Sequence, residues 1–321
     1  MGGNLGFAFG RQSCASKASA KSARERAHRI GRVSGQILGV LIDPFASFGF
    51  MRIALVACFA LALANGPMGT LLLMRRESLD GNVLSHAVMP GAALGFLYAG
   101  YSLAALTIGG LLTGLAVAAL AALSAGSRWQ RQDSNLIAFY LICLSFGVLI
   151  VAARSSQADL VHVLFGTVLA VDVKALLLMA SISSATMLVV AALYRPLVVE
   201  SFDPAFLRAV GGGGGAFRAI FVTLVVLNLV ASFQAFGTLL AIGPMLLPAA
   251  AARCWTNKVF PMIVLATVLG MAAALVGLLI SYNANLPSGP VIVMSAGVIY
   301  GMSLLAAGRT WLKPEGLRKK P

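Results

Sequence analysis

Six stretches of this 321-residue chain carry no Asp, Glu, Lys or Arg: 53–74, 81–127, 134–153, 175–194, 219–252 and 259–308. Each is about as long as, or longer than, the ~20 residues a helix needs to cross the hydrocarbon of a bilayer. Charged residues make up 11% of the whole and the mean hydropathy is +0.91, whereas soluble domains carry roughly a quarter charged residues. A water-soluble fold cannot hide so much apolar surface. Helices are required, because each unpaired backbone amide in lipid costs several kcal/mol and these runs lack the alternation of barrel strands. The expected fold is all-α, a polytopic transmembrane helix bundle.

Two runs must turn back. Gly100-Tyr101 marks the turn within 81–127, and the stretch from Tyr282 to Pro290 marks the turn within 259–308. The 34 residues of 219–252 would make one helix of about 50 Å, too long for a ~30 Å core. Gly237, Gly243-Pro244 and Pro248 are its expected break points. The count becomes eight or nine segments.

A formal net charge of +14 raises the possibility of nucleic acid, but the basic residues sit at the ends of apolar runs. The excess of Lys and Arg on cytoplasmic loops explains them better. With Arg75-Arg76 inside, Arg128, Arg131, Arg195, Arg208, Arg218, Arg253, Lys258, Arg309 and Lys313 also fall inside, and Asp159 falls outside. Residues 1–36 form a basic tail with no apolar core of the kind a signal peptide has, and read as disordered or as an over-extended start. A first crossing at 53–74 puts that tail outside, against the same rule. Ile37 to Phe50 has interfacial character, and 311–321 is a second basic tail. Between the tails lies one membrane domain, 37–310. Cys14, Cys58, Cys143 and Cys254 are isolated and support neither a disulfide framework nor a CxxC metal site.

The longest cytoplasmic candidate is 195–218. Asp203-Pro204 reads as a helix start, with the Asp as N-cap and the Pro at the first helical position, and Ala205 to Val210 can form a short surface helix. The five glycines that follow lack the Lys-Ser or Lys-Thr of a phosphate loop and read as a linker. The chain therefore carries no ATP-hydrolysing site of its own.

Arg75 to Gly95, RRESLDGNVLSHAVMPGAALG, passes from a cationic anchor through polar residues into an apolar helix that still holds His86. A titratable side chain at membrane depth is costly and points to function. Asn82 lies four residues before His86, on the same helical face, and Asp80 and Ser85 are near. Imidazole suits zinc, manganese and iron, and an amide oxygen is a harder, weaker ligand. The plainer reading is that His86 bonds a neighbouring helix and Asn82 caps this one. Pro90-Gly91 is expected to break the helix one turn later, and discontinuous helices commonly build transport sites. In DLVHVLFG, Asp159 and His162 are three apart at the outer edge; they either touch a passing cation or belong to a capped interfacial helix.

Five segments in order, RRESLDGNVLSHAVMPGAALG (75–95), DLVHVLFG (159–166), SFDPAFLRAVG (201–211), LLAIGPMLLPAAAAR (239–253) and LPSGPVIV (286–293), resemble the permease family of bacterial ABC importers for zinc, manganese and chelated iron. The resemblance covers residues about 45–310. It implies a type II ABC importer-like bundle in the bacterial inner membrane, forming a homodimeric pore. Each subunit would bind a cytoplasmic ABC ATPase that uses the ATP, and an extracytoplasmic metal-binding protein would feed the pore. The cargo would be zinc, manganese or iron, with no permanently bound cofactor. In that family the segment matching Asn82 to His86 normally reads Asp-x-x-x-His and lies on the metal path. Here Asn82 stands at the Asp position, His86 is retained as the metal-contacting residue, and Asp80 falls on another helical face. SFDPAFLRAVG matches the family's coupling region, so Asp203, Pro204, Phe206 and Arg208 become the candidates for ATPase contact.

Two other classes compete. A gradient-driven secondary transporter would need intramembrane carboxylates for an ion relay, and none lies in the uncharged runs. A membrane-embedded enzyme would need a nucleophile-base pair or an HExxH motif, and neither is present.

Overall fold

The computed structural model describes residues 44–45, 47–75, 78–99, 102–124, 142–143, 145–147, 149, 166, 168–203, 206–207, 214–237 and 240–311. The chain divides into two compact units, Met1–Gly49 and Phe50–Pro321. Of the first, the described part is a single turn in which the Phe48 N–H donates to the Pro44 carbonyl at 3.3 Å. Among the described residues the secondary structure is helical throughout: α1 (Gly49–Met74), α2 (Ser78–Ala99), α3 (Leu103–Ser124), a 3-10 turn (Val168–Ala170), α4 (Val173–Ala192), α5 (Tyr194–Phe202), α6 (Gly214–Phe236), α7 (Gly243–Arg253), α8 (Val259–Ala284) and α9 (Ser288–Trp311).

The helix ends follow local chemistry. Asp172 caps α4 by accepting the Lys174 N–H at 2.6 Å, and Pro244 occupies the first turn of α7, where its missing N–H is harmless. Asn285 ends α8 in the left-handed conformation at φ 51°, a conformation that Asn tolerates better than most side chains. The turns expected near Gly100-Tyr101 and from Tyr282 to Pro290 lie where α2 gives way to α3 and α8 to α9.

Six of these helices are long and apolar enough to cross a membrane: α1, α3, α4, α6, α8 and α9. The expectation of eight or nine segments also drew on run 134–153, most of which lies outside the described residues, and on a second crossing within 219–252. The second leg of that run is α7, only 11 residues long, or about 16 Å, half of a ~30 Å core.

Burial divides the spans. In α1 and α6, 72% and 67% of the apolar stretch is buried, against 17–28% in the other four. Around this centre, Leu177, Leu188, Phe260, Val268, Met294 and Leu305 are all more than half exposed. Outward-facing apolar side chains on that scale suit lipid as the surrounding solvent. The core joins Met68, Leu71 and Leu72 of α1 with Leu84 and Val88 of α2, Leu224, Val225, Val226, Leu229 and Val230 of α6 and Met245 of α7.

Three sequence expectations are corrected. Pro90 does not break its helix, since α2 runs unbroken from Ser78 to Ala99 with Pro90 inside it. Proline removes one rung of the hydrogen-bond ladder, a loss that neighbouring helices can compensate within a membrane bundle. Pro248 likewise sits inside α7, and the break before it falls at Gly237, whose φ is 78°. The five-glycine linker is shorter than expected, because Gly214 and Gly215 already form the first turn of α6.

Candidate transport site

Helix α2 carries His86 eight residues past its start at Ser78, about 12 Å along the axis. His86 is 6% exposed, with Ser85, Ala87, Val88 and Met89 buried beside it. The position of α2 is set on two sides. Leu84 and Val88 pack into the core against α6. Gly91 and Gly95 lie against α3, where a Cβ at either position would fall within 2.7 Å of the backbone of Gly109 or Ala105. At about 100° per residue, His86 sits roughly 200° round the helix from both Leu84 and Val88, away from the face that packs on α6. Met89 and Pro90 meet Gly147, where a Cβ would be 3.1 Å from Met89 Cγ and 3.2 Å from Pro90 N.

Asp80 and Asn82 belong to α2, so the four-residue spacing of Asn82 and His86 is a spacing within one helix. Their side chains, together with Asp159, His162, Pro204 and Arg208, lie outside the described residues. Among the described residues, no three His, Cys, Asp or Glu side chains gather in one place.

The Asp203 cap stands as expected. Its Oδ1 accepts the Phe206 N–H at 2.9 Å, and the Leu207 N–H reaches its carbonyl at 3.4 Å. Ahead of it lies α5, a helix the sequence reading did not anticipate, which begins after Leu193 with Pro196 in its first turn. Phe202 and Phe206, four residues apart on either side of Asp203, are 61% and 57% exposed. Two exposed phenyl rings thus flank the capped turn, and exposed aromatic rings are a residue type that interfaces use as anchors.

Other polar features escaped the sequence reading. Arg75, read as a cationic anchor at the end of a span, is 5% exposed and ion-paired with Glu200 of α5. Helix α6 also makes three interhelical amide–hydroxyl bonds. Asn228 Nδ2 donates to Thr186 Oγ1 of α4 at 2.9 Å, Asn65 Nδ2 of α1 to Ser232 Oγ at 3.2 Å, and Gln234 Nε2 to Thr107 Oγ1 of α3 at 2.7 Å. Asn and Gln inside uncharged runs were the available signal, since buried amides in lipid bind neighbouring helices.

At the far end of α6, motif segments distant in sequence meet. Gly166, which ends DLVHVLFG, adopts φ 63°, and a Cβ there would lie 2.5 Å from the Phe236 carbonyl carbon. The Val168 N–H donates at 3.1 Å to the hydroxyl of Ser288, in LPSGPVIV.

Comparison with known proteins agrees with the fold. The model of a family described as the ABC 3 transport family matches residues 47–307. The manganese import system permease protein ScaB of Streptococcus parasanguinis is 30% identical over 83% of this chain and 94% of its own length. The manganese transport system membrane protein MntC of Listeria monocytogenes is 30% identical over 85% and 96%. Among solved structures, PsaBC from Streptococcus pneumoniae in complex with Fab superposes with a TM-score of 0.76 at 28% identity, covering 83% of this chain and 95% of that one. An inward-facing metal-chelate-type ABC transporter shares the fold at a TM-score of 0.65 and 16% identity, over 79% and 85%.

Proposed function

The chain belongs to the ABC 3 transport family, and from that membership we propose that it forms the translocation pathway of an ATP-driven importer for a divalent transition metal, manganese foremost. It is a multi-pass permease of the bacterial cell membrane, a transport subunit rather than an enzyme. Energy comes from a cytoplasmic ATPase that docks on the turn at Asp203 and Phe206, with Pro204 and Arg208 in the same contact. Metal arrives from an extracytoplasmic binding protein, and a second copy of the chain completes the pore.

His86, a titratable ring enclosed in an apolar bundle, carries the reading. Such a group is retained at membrane depth where a polar cargo passes. Asn82, one helical turn earlier, adds an amide oxygen in register with it. An oxygen donor suits manganese better than the softer metals, and imidazole accepts manganese, zinc and iron alike. A neutral pair holds a dication weakly, which suits a conduit in which release matters as much as capture. The relatives described as manganese permeases add weight to that choice of cargo.

Packed helices move between discrete arrangements. ATP-driven closure of the partner ATPases would push the Asp203 turn, and the bundle would respond by exposing the pathway to one side at a time.

The test is manganese uptake by cells lacking the native gene and expressing either the wild type or His86→Ala. Losing one charge-assisted ligand contact of about 1.5–3 kcal/mol corresponds to a ~10–100-fold fall in uptake, with the complex still assembling. Uptake by His86→Ala at the wild-type rate would remove His86 from the path. Uptake driven by an ion gradient in vesicles that hold the purified chain alone would replace the ATP-driven reading with a secondary transporter.

A further inference from the structure

We propose that the buried ion pair between Arg75 and Glu200 links the ATPase-docking turn to the helix that carries His86, making both residues positioning residues for transport. The proposal rests on the reading of the Asp203 turn as the docking site.

Arg75 follows α1, with its N–H on the Leu71 carbonyl at 3.1 Å, and lies three residues before α2 begins. Glu200 lies on α5, three residues before Asp203. The two side chains, 5% and 4% exposed, meet where the α1–α2 junction, α5 and α6 come together. Arg75 Nε also donates to Ser201 Oγ at 3.1 Å, and its guanidinium lies 3.8 Å from the ring centroid of Phe221, in the second turn of α6. Ser201 Oγ is itself anchored to the Leu197 carbonyl at 2.6 Å. One side chain thus engages a carboxylate, a hydroxyl and an aromatic face on two other helices.

Positive-inside topology asks only for a cation near a headgroup, and a solvated arginine supplies that. Enclosing the charge requires desolvation that well-packed apolar residues avoid, so stability alone does not account for the pair. Its placement does account for it. A shift of α5 relative to α6 must either carry Arg75 along, and with it the start of α2, or break a desolvated ion pair. The contact therefore favours concerted movement of the docking turn and the metal-path helix.

The experiment uses the full chain assembled with its ATPase in proteoliposomes supplied with the binding protein, and reads Mn²⁺ transported per ATP hydrolysed. The double variant Arg75→Met/Glu200→Leu keeps the volume and removes both charges. The expected result is ATP hydrolysis close to wild type and a manganese-to-ATP ratio lower by about tenfold, within the range of severed couplings. Arg75→Lys, measured alongside whether or not the double variant assembles, keeps the charge but loses the fork and the ring contact, and should lower the ratio by about threefold. An unchanged ratio in Arg75→Lys, or in an assembled double variant, overturns the link. Absence of ATP-dependent Mn²⁺ uptake by the wild-type complex overturns instead the transport reading on which the link depends.

Discussion

Gly91 of α2 and Gly109 of α3 pack backbone against backbone. A Cβ on Gly91 would stand 2.6 Å from the Gly109 carbonyl carbon, and one on Gly109 would stand 2.9 Å from that of Gly91. Neither atom is the movable end of a side chain, so a methyl group at this crossing can be accommodated only by separating the helices. His86 lies five residues before Gly91 on the same helix, so this contact sets the placement of the candidate metal ligand. Small residues that bring helices together in this way replace the hydrophobic drive that lipid removes.

Gly91→Ala should therefore destabilise the chain by about 1–3 kcal/mol, the usual cost of overpacking, and should lower metal uptake through displacement of α2. Gly297→Ala is the control. Gly297 lies inside α9, where a Cβ would meet nothing within 4 Å, so alanine there should be neutral or stabilise by up to about 1 kcal/mol through helix propensity. Thermal unfolding of the two purified variants in detergent checks the contrast, and equal melting temperatures would contradict it.

At the Asp203 turn, stability and docking should separate. Asp203→Ala removes the cap on the Phe206 N–H, worth about 1 kcal/mol locally, and Phe206→Ser removes an exposed ring that supports no core. Both should leave the melting temperature of the purified chain nearly unchanged. Both should weaken association with the ATPase by at least about tenfold, as expected for an interface anchor worth more than ~1.4 kcal/mol. Titrating the ATPase onto immobilised permease measures this, and wild-type affinity for Phe206→Ser would move the docking surface elsewhere.

The amide bonds of α6 predict an asymmetry. Asn228 Nδ2 donates to Thr186 Oγ1 and to the Leu224 carbonyl, while its Oδ1 has no partner among the described residues. Thr186→Val leaves a buried N–H without an acceptor and should cost about 1–3 kcal/mol. Asn228→Leu loses one interhelical bond, worth about 0.6–1.7 kcal/mol, but also removes the stranded oxygen, so its net effect should be smaller. Unfolding free energies of the two single variants, measured in the same micelle, decide the order.

The bundle was legible in the sequence because hydrocarbon imposes so few solutions. The uncharged runs locate the spans, and the turns near Tyr101 and Asn285 follow from run length and local chemistry. The burial of His86 was legible for the same reason, since an imidazole within an apolar run has neighbouring helices around it rather than water. Arg75 misled because a cation at the end of a span has a sufficient explanation in topology, and its partner Glu200 is 125 residues away, in a segment read as cytoplasmic. Pro90 misled because its kinking tendency is local, while the continuity of α2 is maintained by packing against α3 and α6. Asn228 and Gln234 gave a compositional signal, but their partners Thr186 and Thr107 could be identified only once the helices were placed side by side.

The Asn82 position offers the sharpest test of the metal path. The pattern usual in such permeases places a carboxylate one turn before the histidine, and here a neutral amide stands there. Asn82→Asp adds a full negative charge in helical register with His86. A carboxylate is both a harder and a charged ligand for a dication, so capture should strengthen and release should slow. The expected signature in Mn²⁺ uptake is a KM lowered by about tenfold, one charge-assisted contact of ~1.4 kcal/mol, together with a fall in maximal rate. The same change in Asp80→Asn/Asn82→Asp would show that only the position in register with His86 matters. A KM that does not respond to the charge at residue 82 would mean that the cation passes along another face of α2.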